Sequence, residues 1–422
     1  MLRFEKSIPF LKSKIRSIKR RLPISLQKLL VQMYKRMRED RYLIIVIYFL
    51  PAAILRMLNF RVPNFNYVNR IGHLLAEPDC YLKEQQLGLI PKHSIIMLAP
   101  IGQVANQAVL TYWRQYFTVV TSLNLVRLIR PLSWHPLTCF DVSKYAVAIN
   151  KSAEFPKIQA LWADRQPLLE INHADTCRGI KALEEIGVPL GAWFVCVHSR
   201  DGGYSPKDEH FHSYRNSNIE DYLMAIEYII SLGGICIRMG DNAMPPAPKL
   251  EGLIDYAHHP MRSDWLDLYI SANCRFFLGN TSGAFYMASV FGVPVACANM
   301  APLSAVFPCG KKDIGIPKLY KEISSGRLLS FKEILDSPAA NFRFSSEFNE
   351  ANIEVVNNSP KEIKELAIEQ LEKTELPNFT YEKVDEELQN RFRKLFKPGH
   401  YMHGSASRVG RTFLQHYKHL LK

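Results

Sequence analysis

The 422 residues contain no Cys-x-x-Cys pair, no cysteine–histidine spacing of the zinc type, no Asp-x-Asp, no internal repeat and no low-complexity tract. Without paired thiols at metal spacing, the eight cysteines are not read as zinc ligands. Cys196, Cys236, Cys274 and Cys297 lie in or beside apolar strand-like runs, where a thiol serves as a small core hydrophobe, and a reducing compartment is expected. The missing repeat period excludes a solenoid. With 47% hydrophobic and 11% aromatic residues, neither a disordered polyelectrolyte nor a small stapled scaffold fits, and a chain of this length can bury cores for two or three domains.

Acidic charge is scarce at one end. Residues 1–41 carry 13 Lys and Arg against three acids, so +10 of the net +13 sits there and the other 381 residues contribute only +3. A basic terminal block on a nearly neutral body favours a local anionic partner such as a lipid surface; nucleic acid is not expected, as the body holds no recognisable nucleic-acid module. Next comes the apolar stretch 42–55, YLIIVIYFLPAAIL, bounded by Arg41 and Arg56. Spanning a bilayer takes roughly 20 apolar residues, and Pro51 interrupts this one, so it reads as a monotopic insertion or else a buried core helix. The expected organisation is a basic and apolar membrane-associating segment (1–61), an N-terminal α/β unit (62–188), a second α/β unit (189–335) and a helical C-terminal extension (336–422).

Within the first unit, SIIMLA (94–99) predicts a strand, residues 103–117 a helix and FTVVTS (117–122) the next strand. The second unit alternates more clearly: strands at 193–199, 234–239, 253–257, 274–279 and 294–299 are separated by helical patterns. A capping box is expected from Ser217 and Glu220, and helix starts at Ser263 and at Thr281. Such alternation specifies a parallel, doubly wound sheet whose ligand sits at the carboxyl ends of its strands. In the tail, Ser359-Pro360-Lys361-Glu362 predicts a capped helix, and more helix is expected over 408–421.

The polar residues gather where these strands end. The strand at 193–199 runs into His198-Ser199-Arg200-Asp201-Gly202-Gly203-Tyr204, which puts an imidazole and a guanidinium on one side of the strand next to glycines. A planar guanidinium fork matches phosphate oxygens, so this edge suits a diphosphate. Arg238 with Asp241, Ser263 with Asp264, and Thr281-Ser282-Gly283 end the neighbouring segments, and the last offers free backbone N–H groups to an anion. Tyr204, Tyr214 and Arg215 belong to a long loop (202–217) placed to close over a ligand.

Taken together, the His198-x-Arg200 strand end and the run SDWLDLYISANCRFFLGNTSGAFYMASVFGVPV (263–295) resemble the donor half of GT-B glycosyltransferases, the fucosyltransferase-like ones in particular. The wider set is similar to an uncharacterised bacterial family of glycosyltransferases: it adds His212-Ser213-Tyr214-Arg215-Asn216, Ile237-Arg238-Met239-Gly240-Asp241, Arg70-Ile71-Gly72-His73-Leu74 and Ser407-Arg408-Val409-Gly410. The likeness runs over about 65–420. It implies two Rossmann-like domains, a nucleotide-sugar donor held by Arg200, Arg238, Thr281, Ser282 and Gly283, ribose or base contacts at Asp264, and an acceptor between domains. His198, Asp241 and Ser263 join that expected site, and Arg200 and Asp201 are grouped with the catalytic residues. The chain departs from the fucosyltransferase pattern at Asp201-Gly202-Gly203, where that pattern has a further Arg and a Gly-Asp, so the GDP-fucose donor is left open.

No cofactor and no divalent metal are expected, since arginines and a helix N-terminus can neutralise a leaving diphosphate. A group to take the acceptor's proton is sought among His73, Glu77 and Asp79, with His73 preferred. The expected activity is transfer of a sugar to an envelope or lipid-linked glycan at the inner face of the cell membrane, the protein being cytoplasmic and peripheral or monotopic. A sugar-nucleotide hydrolase or epimerase of the same fold, or a membrane-tethered adaptor, are the other classes.

Overall fold

The computed structural model describes residues 42–65, 68–140, 142–146, 154–203, 211–303, 309–376, 378–400 and 402–422. The basic block 1–41 and Tyr204 lie outside the described residues. From residue 42 the described chain is helical, is interrupted by a turn at Tyr48 and continues as α1 (Phe49–Met57). Pro51, lacking an N–H, cannot bond back to the carbonyl four residues earlier, which accounts for a break at that point.

Two parallel sheets follow. The first has three strands in the order β1 (Phe60–Arg61), β2 (Ser94–Leu98), β3 (Phe117–Val120), with α2 (Ile71–Gln86) crossing between the first two. Among the described residues this sheet is small, and it already begins at Phe60, ahead of the expected boundary at 62. The predicted helix over 103–117 contracts to Val109–Trp113: Asn106 accepts from Val109 N–H at 3.1 Å, and its amide is drawn 2.7 Å onto the Asp264 carbonyl, so the preceding residues stay in a loop. After β3 comes α3 (Leu123–Ile129).

The second sheet has seven strands, all parallel. They are β4 (Phe194–His198), β5 (Ile235–Arg238), β6 (Leu253–Ile254), β7 (Phe277–Gly279), β8 (Val295–Met300), β9 (Ile314–Pro317) and β12 (Arg408–Val409). An antiparallel pair, β10 (Leu319–Glu322) with β11 (Ile353–Val356), stands apart. In space the large sheet runs β12-β9-β8-β7-β4-β5-β6. Chain order therefore reverses between β4 and β7, the doubly wound arrangement whose switch point forms a crevice at the strands' carboxyl ends. Every residue of β4 and of β8 is buried, as strands covered on both faces must be.

Two local expectations are corrected. Ser217 does not cap a helix: its hydroxyl accepts from the Asn280 amide at 2.9 Å and meets the Tyr222 hydroxyl at 3.3 Å, a tertiary claim that outcompetes the local bond. Arg408 and Val409 are not helical but add the edge strand β12, so the tail 336–422 is not a purely helical extension; helix resumes only at Arg411–His416. The capped helix at Ser359 forms as expected, with both capping-box bonds, and packs on the helix Leu223–Ser231. The four strand-associated thiols are buried and free.

One hydrophobic cluster joins the two units, taking in Leu74, Tyr81 and Trp113 with Leu278, Phe285 and Val295. Polar bonds cross the same boundary: the Asp264 carboxylate accepts from Gln107 N–H at 2.7 Å, and Asp175, which also accepts from Tyr112 in its own unit, accepts from the Trp265 indole at 2.8 Å.

Candidate functional site

At the switch point, β4 and β7 are bridged by Asn280. Its side-chain oxygen accepts from Arg200 N–H at 2.9 Å, and its amide donates to the Arg215 carbonyl at 3.0 Å as well as to Ser217. The strand end thereby fixes both the residues after β4 and the returning segment 213–217. Arg215 in turn donates to the Thr281 carbonyl at 3.0 Å, while its Nε is buried without a hydrogen-bond partner. Arg200 donates to the His212 carbonyl at 3.3 Å and to the Asn216 side chain.

A buried lysine that the sequence reading passed over completes this corner. Lys318, in the turn from β9 to β10, is 2% exposed and donates to the carbonyls of Tyr214 at 2.9 Å and Asn216 at 2.6 Å. Burial, with the positive charge of Arg200 second, pushes its ammonium down to about 7. Arg343 also lies lower than an ordinary arginine, through burial and with Arg215 among its neighbours; Arg215 is lowered likewise, with Arg70 of the N-terminal unit adding to burial. Arg70, Arg200, Arg215, Lys318 and Arg343 thus form a chain of cations within mutual electrostatic reach. Asp221 acts on Lys318 and Glu347 on Arg343, and Glu347 is already bonded to the Arg343 and Phe344 N–H groups. A buried ammonium among arginines makes a field that an anion would neutralise.

The N-terminal unit meets this corner backbone to backbone. A side chain at Gly283 would lie 2.8 Å from Gly72 N, and one at Gly72 2.9 Å from Gly283 Cα, so only glycine allows the approach. The first turn of α2 is thereby pressed against the 281–283 turn, and the next residue is His73. Its Nδ1 is 2.5 Å from the buried Glu77 carboxylate, one helical turn on.

Other expected site residues have structural duties. Arg238 is not brought to the crevice: it is 1% exposed and paired with Asp255 at 3.0 Å, across β5 and the end of β6. His198 is buried with Nδ1 against the Met239 carbonyl at 3.0 Å, and burial drives its pKa down to about 4, so the ring is neutral at pH 7. Asp201 accepts from Gly203 N–H in a tight turn, Asp241 accepts from Ala243 N–H and approaches Arg262 at 3.5 Å, and Ser263 caps α4 (Asp264–Asn273). Asp264 is engaged by Gln107. The Thr281 hydroxyl accepts from Ala301 N–H and the Ser282 hydroxyl from Ala284 N–H, leaving the turn's approach to Gly72 and Arg215 as its tie to the site. The Tyr214 ring packs on Phe348 at 5.0 Å.

The segment 211–217 lies over the cations and is latched to the segment 342–348: His212 bonds the Arg343 carbonyl at 3.0 Å and stacks on Phe344, and the Ser213 and Ser345 hydroxyls meet at 2.8 Å. Two hollows lie away from this corner. A hollow of about 540 Å³ at the carboxyl end of β2 is lined by Phe65, Leu98, Pro100, Gln103, Arg130 and Trp134, and one of about 440 Å³ is lined by Lys181, Arg178 and Trp265 among others. Among the described residues, no group of three or more His, Cys, Asp or Glu side chains converges as metal ligands do.

The sequence marked Arg200, Arg215 and Thr281 through their strand ends and loop. It offered no local signal for Lys318 or Arg343, which arrive from segments more than 100 residues downstream of Arg200.

No family model and no curated protein matches the chain. Among solved structures it is similar to the glycosyl transferase family 9 from Veillonella parvula DSM 2008, with TM-score 0.33 and 11% identity over 73% of this chain and 80% of that one. It is also similar to the E. coli ADP-heptose lps heptosyltransferase II, with TM-score 0.41 and 12% identity over 62% of this chain and 90% of that one. A third is an E. coli heptosyltransferase with ADP, with TM-score 0.35 and 11% identity over 75% and 98%.

Proposed function

We propose that the chain is a glycosyltransferase of GT-B type, which binds the diphosphate of a nucleotide-sugar at the β4/β7 switch point and passes the sugar to a glycan or lipid-linked glycan held against the N-terminal unit. The observation that carries this reading is the convergence of Arg70, Arg200, Arg215, Lys318 and Arg343 on one strand-end corner, with the Arg215 Nε buried and unpartnered. A diphosphate supplies an acceptor atom for the Arg215 Nε and negative charge beside Lys318. The donor enters once 211–217 lifts from the 342–348 segment; the latch is made of a few hydrogen bonds and ring contacts, which suits a moving cover.

In this reaction the acceptor oxygen bonds to the anomeric carbon as the bond from that carbon to the diphosphate oxygen breaks, and the electron pair leaves with the nucleoside diphosphate. The hydroxyl proton passes to His73. With Nδ1–H donated to Glu77, the imidazole lone pair is at Nε2, and the carboxylate stabilises the imidazolium that forms. The cations of the corner carry the charge that develops on the leaving group, so the reading calls for no metal ion.

Thermal-shift screening with GDP, UDP, ADP, CMP and dTDP tests it. One of them at a hundredfold excess over its dissociation constant should stabilise the protein by about 2.7 kcal/mol, and Arg215→Ala should abolish that shift. Stabilisation by none of the five, or an equal shift in the variant, overturns the assignment. Release of free sugar from the matching donor without any acceptor dependence would favour the hydrolase class instead.

A further inference from the structure

The surface of the N-terminal unit has an unusual charge pattern. Between residues 42 and 140 the only acids are Glu77, Asp79 and Glu84, and all three are buried on α2. Arg56, Arg70, Lys92, Arg114, Arg127 and Arg130 are exposed in the same span. The described surface of residues 42–140 therefore carries cations and no carboxylate.

Large apolar side chains stand out on the same unit. Along 42–58, Val46 is 73% exposed and Met57 78%, with Leu43, Ile47, Phe49, Leu50 and Leu58 also open to solvent. The other side of that helix is packed down: Ala52 is fully buried with Val62, Ile96 and Leu132, and Tyr48, Leu55, Ile129 and Leu137 surround them. His135 reaches the Ile45 carbonyl at 3.1 Å. The segment 123–137 is thus joined to the apolar helix through a small cluster of their own, and it too exposes Leu123, Leu125, Leu128 (60%) and Trp134 (51%). Within 123–135, Arg127 and Arg130 punctuate the leucines and the tryptophan.

We propose that the N-terminal unit docks on an anionic bilayer leaflet through a joint face made of residues 42–58, α3 and Trp134. Exposed leucines with an indole and arginines match the acyl–headgroup boundary, where apolar side chains insert and guanidinium groups meet lipid phosphates. The occupant is lipid because the face lacks any carboxylate, and because the chain just before it, residues 1–41, bears 13 Lys and Arg. Among the described residues no helix is long and apolar enough to cross a membrane, which agrees with a face that lies on the leaflet. Arg130 and Trp134 also line the 540 Å³ hollow, so docking would bring the acceptor side of the proposed transferase to the headgroups. That consequence rests on the transferase reading; the docking does not.

The test is flotation of the full chain with vesicles of phosphatidylcholine and phosphatidylglycerol in equal parts, at low salt and again at high salt, where attraction by the basic block is screened. Expected is salt-resistant binding that falls by about tenfold or more in the Leu125→Glu, Leu128→Glu double variant, because two partly inserted leucines are lost and two anions gained. Lipids brominated in their tails should quench the wild-type tryptophan emission, and the quenching should vanish in Trp134→Phe. A double variant that floats like the parent at high salt, or a Trp134 that is not quenched, overturns the proposal. So does a lipid-free dimer that the leucine substitutions make monomeric, which would give the face to a second copy. Nucleoside-diphosphate binding by the double variant, read by calorimetry, reports separately on the switch-point corner and should equal that of the parent.

Discussion

Lys318 is the residue on which the anion corner can be tested most sharply. Its ammonium is buried beneath Tyr214 and Asn216, beside Arg200 and Arg215, and titrates at about 7 against an ordinary 10.5. At about 1.4 kcal/mol per unit, holding it charged at high pH costs on the order of 5 kcal/mol. Above pH 7 the free protein therefore carries a neutral amine, whose two N–H groups match the two carbonyls it meets. A bound diphosphate brings negative charge beside it and raises the pKa again, so binding takes up a proton. The nucleotide's own phosphates are fully ionised by pH 7, with a second pKa of about 6. Affinity should then fall as pH rises from 7 to 9, approaching about tenfold per unit. Calorimetry at pH 8 in buffers of different ionisation enthalpy should count nearly one proton absorbed. In Lys318→Met both the slope and the proton disappear. A wild-type affinity that is flat from pH 7 to 9, or a slope that survives in the methionine variant, refutes the idea that Lys318 faces the ligand. Stability has its own signature: between about 7 and 10.5 the unfolded chain binds a proton that the folded chain lacks, so this residue makes the fold more stable as pH rises through that window.

Other outcomes follow from the same geometry. Glu77→Gln keeps the shape of α2 but weakens the bond that orients His73, so turnover with donor and acceptor should fall by about a hundredfold or more while nucleoside-diphosphate affinity is unchanged; loss of both together would mean that Glu77 is only structural. Gly283→Ala drives a methyl to 2.8 Å from Gly72 N, and the shift of backbone it forces should cost about 1–3 kcal/mol in thermal unfolding and reduce nucleotide affinity. Arg238→Met leaves Asp255 without its buried partner and should destabilise by about 3 kcal/mol, yet nucleotide binding measured by calorimetry should survive, because this arginine lies outside the corner.

Legibility in the sequence tracked how local each feature is. Strand runs such as FVCVH, the Ser359–Glu362 cap and the buried thiols are written in neighbouring residues, and each folds as its pattern implies. Arg238 misled because a strand-end arginine looks the same whether it faces a crevice or an acid; Asp255, which decides the matter, comes from the next strand's end. Ser217 misled for a similar reason, since its local capping bond lost to a side chain 63 residues away.

The amino-acid order alone determined the alternation of strand and helix, hence a parallel sheet with its polar residues at the carboxyl ends, because side-chain periodicity and capping act over a few residues. Which of those ends meet was decided only in three dimensions. The order β12-β9-β8-β7-β4-β5-β6 brings Lys318 and Arg343 to the loop carrying Arg215, and the contact of Gly72 with Gly283 sets the first turn of α2, with His73 after Gly72, against the 281–283 turn. Electrostatic work depends on distance through space and on burial, and neither is a property of separation along the chain.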